Sequence, residues 1–315
     1  MNTKNKDCSS TLLKSSLLAL LSTTAITFLI LPRTARGQIF VANNGTGTIG
    51  EYNLDGTVIN ASLISDLSNP TSLVVSGSNL FVVNNGNGTI GEYTTSGVTV
   101  NSSLVSGLAG PYGITVSGSD LFVANYGNDS VGEYTTSGVT VNASLVSGLA
   151  YPTGLVVSGS DLFVTNNNGW IGEYTTSGAT VYYYFVYASG LDYPFGMALS
   201  GSEMFVSNSL SGSISEYTTS GATVNTSLVS GLSAPYGIAV SGSDIFVVNT
   251  GGTIGEYTTS GATVNASLIS GLGGAEGLAV ESAIPEPSTY AAIFGLLALG
   301  VAGVRGMGQR RAAAA

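Results

Sequence analysis

Six glutamates, each followed by tyrosine, are the side chains that first invite acid–base chemistry: Glu51, Glu92, Glu133, Glu173, Glu216 and Glu256. A carboxylate can act as general acid, base or nucleophile, and a pair about 5–9.5 Å apart hydrolyses glycosidic bonds. The even recurrence of these six assigns them a structural or solvated role, because one active site needs residues that differ from their copies. Any burial of them must be offset by hydroxyls, amides or backbone N–H groups, or their pKa rises. Glu276 is different. It holds a position where the other units carry Thr71, Tyr112, Thr153, Phe195 and Tyr236. A carboxylate-based glycoside hydrolase or lyase using Glu276 is therefore the alternative functional reading. Asn128-Asp129 lacks the full loop of oxygen ligands that calcium needs, so no metal site is assigned.

The missing residue types restrict the chemistry further. The chain has 315 residues, with 18 Asp and Glu, 8 Lys and Arg, and no His. Every cation lies near an end, the innermost being Arg36 and Arg305, so the body over 38–284 carries about −16 with nothing to offset it. Such a body cannot neutralise nucleic-acid phosphates or clamp a phosphoryl group. Without His there is no Ser–His–Asp triad. The single cysteine, Cys8, precedes the body, which leaves no thiol nucleophile, disulfide or ordinary zinc site there. These counts predict a non-enzymatic body without a cofactor.

The elements that must position these residues follow from a repeat. The Glu-Tyr pairs recur at steps of 41, 41, 40, 43 and 40 residues, and Phe-Val recurs at Phe40, Phe81, Phe122, Phe163, Phe205 and Phe246. Each unit reads as four short strands, A to D, punctuated by Gly, Ser, Asn and Asp turns. In the unit that begins near Gly113 they are 114–116, 121–125, 131–135 and 140–146. Strand B is apolar at consecutive positions, as in Leu80-Phe81-Val82-Val83, so both of its faces need cover. A lone sheet offers none. Sheets stacked in a closed ring do. The body starts on a B strand (39–43) and ends on a spare A strand (278–280), so the last strand can complete the first sheet. The predicted fold is an all-β, six-bladed propeller over residues 38–281, with four-stranded blades and one-plus-three closure.

In such a ring the B–C and D–A connections share one face. Here the B–C turns are rich in Asn, and Tyr112, Phe195, Tyr236 and Glu276 stand on the D–A side. Amides beside aromatic rings suit sugars, since rings stack on C–H faces and amides bond hydroxyls; the competing reading is that Asn caps turns and the rings plug the channel. The largest break in the repeat is Tyr182-Tyr183-Tyr184-Phe185-Val186-Tyr187, with Trp170 in the same unit replacing the usual Thr. Trp170, Tyr182, Tyr183 and Tyr184 are predicted to form an exposed aromatic patch for a polysaccharide or protein, against packing around the two extra residues of that unit. The stretch Pro235-Tyr236-Gly237-Ile238-Ala239-Val240, followed by Ile245-Phe246-Val247-Val248-Asn249, resembles NHL-type repeats. The resemblance implies the propeller. It carries no activity, because related propeller lyases and lactonases use His or clustered acidic metal ligands.

Both ends read as addresses. Lys4, Lys6 and Lys14, an apolar stretch 17–31 and Ala35-Arg36-Gly37 form a signal peptide (1–37), cleaved before Gln38. At the other end, Pro285-Glu286-Pro287 precedes an apolar helix 290–304 and then Arg305, Arg310 and Arg311. At 1.5 Å per residue that helix spans about 22 Å, a short membrane anchor whose arginines stay cytoplasmic. This order of motif, helix and basic tail over 282–315 resembles the PEP-CTERM sorting signal. The resemblance implies export, transient anchoring in the inner membrane, transfer by an exosortase, and association with exopolysaccharide or a surface protein. The expected function is a cell-surface or matrix propeller acting in adhesion or biofilm.

Overall fold

The computed structural model describes residues 37–187 and 190–281. The two helices expected near the ends lie outside the described residues, as does the sorting motif. Within them, twenty-four strands form six four-stranded antiparallel sheets. Blades II to VI run in chain order over residues 70–105, 111–147, 152–187, 194–230 and 235–270. Blade I combines Gln38–Asn43, Thr48–Asn53 and Val58–Ile64 with the last strand, Ala275–Glu281. That last strand pairs with the first, Phe40 opposite Ala279 and Val41 opposite Leu278. The one-plus-three closure is therefore present.

The core lies between blades rather than within them. Leu80, Phe81, Val82 and Val83 are all fully buried, as two-sided cover of strand B requires. Alternate side chains serve alternate neighbours. Leu80 and Val82 pack with Phe40 and Ile49 of blade I, while Phe81 and Val83 pack with Leu121 and Val123 of blade III. The seam between the chain ends is built the same way, from Phe246, Val248 and Ile254 against Ile39, Val41 and Tyr52. Each such side chain contributes about 1.5–3 kcal/mol on burial.

Local chemistry shapes the strands. Prolines open the A strands, as in Pro111–Ser117 and Pro235–Ser241, a position that needs no ladder N–H. In strand C the tyrosine of Glu-Tyr lies across the glycine two residues before it. A Cβ on Gly91 would stand 2.6 Å from the Tyr93 ring. Strand D bulges, its register slipping opposite the Glu-Tyr pair. There Asn101 Oδ1 accepts the Ser103 N–H at 3.1 Å, and Asn142 and Ser144 repeat the bond at 3.1 Å. The recurrent Asn-Xaa-Ser triplets are therefore bulge caps.

Candidate functional site

Six A strands line the central channel, and their first three residues set its loop-side mouth. The third is glycine in five blades because neighbouring backbones nearly touch. A Cβ on Gly196 would lie 2.5 Å from the Tyr236 carbonyl oxygen, and one on Gly277 would lie 2.5 Å from that of Thr71. Gly113 and Gly154 face the carbonyls of Thr153 and Phe195 in the same way. The second residue differs from blade to blade and is the one predicted to bind ligand. The structure places it inside strand A rather than in the D–A connection. Thr71 and Thr153 spend their hydroxyls on the ring itself, donating to the carbonyls of Tyr112 at 3.0 Å and Pro194 at 3.1 Å.

The other four meet across the mouth. Phe195 and Tyr236 stack with centroids 4.1 Å apart and planes within 9°. Tyr112 meets Phe195 edge to face at 5.0 Å, and its hydroxyl donates to Glu276 Oε2 at 2.7 Å. Burial holds the Tyr112 hydroxyl well above its ordinary pKa, and the Glu276 charge adds to this. Tyr112 is thus the proton donor of the pair. Burial likewise raises the Glu276 carboxyl, with the bond from Tyr112 opposing the rise. Beneath the rings is a cavity of about 100 Å³.

The rings continue outward over the loop face. Tyr126 opens the short turn Tyr126–Asn128 and lies 6.0 Å from Tyr112 and 5.1 Å from Tyr151. Tyr151 and Tyr193 immediately precede the A strands of blades IV and V, with φ of 55° and 59°, and are 47% and 50% exposed. This conformation is demanded by the repeat. The equivalent residues Asn69, Gly110, Ala234 and Gly274 share it, and the carbonyls of Gly110 and Tyr151 accept the backbone N–H groups of Tyr126 and Asn167 at 3.1 Å. A bulky side chain there is strained, and strain of this kind collects at functional sites. Sequence reasoning missed Tyr126, Tyr151 and Tyr193. The available signal was their departure from Asn, Gly and Ala at repeat-equivalent positions.

The residues of the predicted patch on blade IV differ in exposure. Tyr182, Tyr184 and Tyr187 are 61%, 59% and 62% exposed, and Tyr183 is partly covered. Trp170 is buried and offers no surface of its own. It supports Tyr183 at 4.5 Å and Tyr184 at 5.3 Å. The strand C glutamates are not brought to any mouth. Each sits near the start of its own B strand, and Asn79 Nδ2 donates to Glu92 Oε1 at 2.9 Å. Glu276 is the one carboxylate lining the channel cavity among the described residues. The carboxylate pair of a two-acid glycoside hydrolase is thus not assembled there.

Comparison with known proteins gives the lineage. The chain matches the family described as the virginiamycin B lyase family over residues 31–282. A nidogen/laminin complex structure shares the fold with TM-score 0.67 and 15% identity, over 79% of this chain and 98% of that one. A catalytically inactive, histidine-substituted virginiamycin B lyase from Staphylococcus aureus, solved with quinupristin, gives 0.57 and 22%, over 76% and 87%. A gluconolactonase from Xanthomonas campestris gives 0.59 and 14%, over 69% and 81%. No curated protein gives a significant match. The expectation of a non-enzymatic body is corrected by these findings, since the matched family is one of lyases and two fold neighbours are named as enzymes. The lack of His from the chain, and of Cys, Lys and Arg from its body, restricts which residues could act and does not remove the possibility of catalysis. With some four-fifths of its length matched, the chain belongs to the virginiamycin B lyase family.

Proposed function

We propose that this chain is an exported surface or matrix propeller that holds neutral glycan on the aromatic loop face around its channel mouth. The carrying observation is the stacked and edge-on cluster of Phe195, Tyr236 and Tyr112 over the channel cavity. Flat ring faces suit the C–H faces of pyranoses, while Tyr112 and Glu276 offer hydroxyl and carboxylate partners at the rim. The charge of the body, about −16 with no cation, disfavours polyanions. The signal-like start and the Pro285-Glu286-Pro287 tail support export, exosortase sorting and adhesion at the cell surface. Intact mass and location of the mature protein, with and without residues 285–315, test the sorting. Titration with neutral and acidic oligosaccharides tests the ligand. Tyr236→Ala is expected to weaken neutral glycan binding roughly tenfold, as loss of one ring contact would. Equal binding by this variant overturns the mouth as the site.

A second reading, elimination at the same mouth, is favoured by the 2.7 Å bond between Tyr112 and Glu276 and by family membership. Glu276 takes a proton from a carbon, the adjacent C–O bond breaks as the double bond forms, and the Tyr112 hydroxyl protonates the departing oxygen. Glu276 then returns a proton to Tyr112. Glu276→Gln is expected to keep binding and abolish the unsaturated product, seen by its ultraviolet absorbance. Unchanged product formation by the variant excludes this reading.

A further inference from the structure

The rings at the mouth and the patch on blade IV approach one another at the III–IV seam. From Tyr236 the centroid steps run 4.1 Å to Phe195, 5.0 Å to Tyr112, 6.0 Å to Tyr126 and 5.1 Å to Tyr151. Tyr183 reaches back to the segment that carries Tyr151: its hydroxyl donates to the Gly148 carbonyl, three residues before Tyr151, at 2.7 Å, while the Tyr151 N–H donates to Asp129 Oδ1 at 2.9 Å. Beyond Tyr183, Tyr184 follows at 4.8 Å and Tyr187 at a further 5.2 Å.

The repeat itself is the control for this path. Blades III and VI carry Asn142-Ala143-Ser144 and Asn265-Ala266-Ser267 where blade IV carries Tyr182-Tyr183-Tyr184, so the strand needs no tyrosine to form. The substituted positions face solvent in all three blades. Trp170 takes the place of Thr253 and lies under Tyr183 and Tyr184, which holds those rings in place before any ligand arrives. Strand D of blade IV is bulged opposite Glu173, which spoils it as an edge for another strand.

We infer that these rings form one aromatic track, from the channel mouth across the III–IV seam to the rim, that binds an extended neutral glycan chain over several sugar units. The inference rests on the glycan reading above and adds its substrate class: a linear polymer held along its length, not a chain end or a free monosaccharide. Rings of tyrosine rather than Phe or Leu fit this, giving stacking faces with hydroxyl rims.

The test is affinity against chain length, using cello-, xylo- and malto-oligosaccharides from monomer to hexamer. Two variants accompany the wild type. One replaces Trp170→Thr, Tyr182→Asn, Tyr183→Ala and Tyr184→Ser together, the residues blade VI already folds with. The other is Tyr151→Gly, the residue that Gly110 and Gly274 place in the same left-handed conformation. For at least one ladder, wild-type affinity is expected to climb with each added sugar. Both variants should bind the hexamer roughly tenfold more weakly while keeping wild-type affinity for the shortest bound member. Tyr151→Gly should do so while raising the melting temperature, which a purely structural residue would not. Affinity independent of length, or variants that bind the hexamer like wild type, overturns the track and leaves the mouth standing. No binding of any ladder overturns the mouth as well. A wild-type dimer in light scattering that the fourfold variant lacks shows the patch to be a contact between copies, and overturns the track.

Discussion

The carboxylates of strand C show what a body without cations must do. Glu133, Glu173, Glu216 and Glu256 are held above the ordinary carboxylate value, first by burial and then by Asp120, Asp161, Glu203 and Asp244. A carboxyl whose pKa is higher folded than unfolded binds protons more tightly in the native state, so stability falls as pH rises through the raised value. The fold is therefore expected to melt a few degrees higher near pH 5 than at pH 7.5 by calorimetry. Blade II marks the remedy, for Asn79 stands at the start of strand B and bonds Glu92. Asp120→Asn should copy that arrangement, adding about 0.5–1.5 kcal/mol at neutral pH, the worth of one hydrogen bond. It should also shrink the difference between the two pH values. At this scale the repeat was legible and the exceptions were only partly so. The isolated status of Glu276 showed in its register, whereas its bond to Tyr112, 164 residues away, needed the closed ring.

Strands were legible because the physics that fixes them is local. Two-sided apolar runs such as Leu80–Val83 and turns rich in Gly and Ser mark their extents, and the structure moved the ends by a few residues. What the pattern could not give was contact between elements. The glycines after Tyr112 and Phe195 read as turn residues, yet they sit within A strands where the next blade's carbonyl leaves no room for a Cβ. Gly196→Ala is expected to cost about 1–3 kcal/mol in urea unfolding, as overpacking does, because the obstacle is backbone and cannot rotate away. A stability unchanged within error would mean that neighbouring A strands separate more readily than this geometry allows. The track was hidden for the same reason. Tyr126, Tyr151 and Tyr183 belong to different strands and turns, and only the seam between blades III and IV brings them near one another.

For the whole molecule, closure matters most. The last strand completes the first blade, and the seam between the chain ends buries the same set of Phe, Val, Ile and Tyr as the others. A ring closed in this way has no free blade face, so the surface left for binding is its two faces of loops and turns and the blade rims. Near-identical blades make most of that surface uniform, and departures from the repeat stand out as the places where something besides folding is served. Several of them line the proposed track: Tyr112, Tyr126, Tyr151, Tyr183 and Tyr184, with Phe195 and Tyr236 at its inner end. Catalysis by histidine, as the inactive variant of the S. aureus relative implies there, is closed to a chain with no histidine. Its own side chains offer phenols, carboxylates, aliphatic hydroxyls and amides to a ligand. The most direct measurement is saturation-transfer NMR with a bound neutral oligosaccharide, irradiating the protein's aromatic protons. Transfer onto the sugar ring C–H protons is expected, and should fade in Tyr236→Ala. Absence of transfer from aromatic protons to a glycan that demonstrably binds would contradict the account.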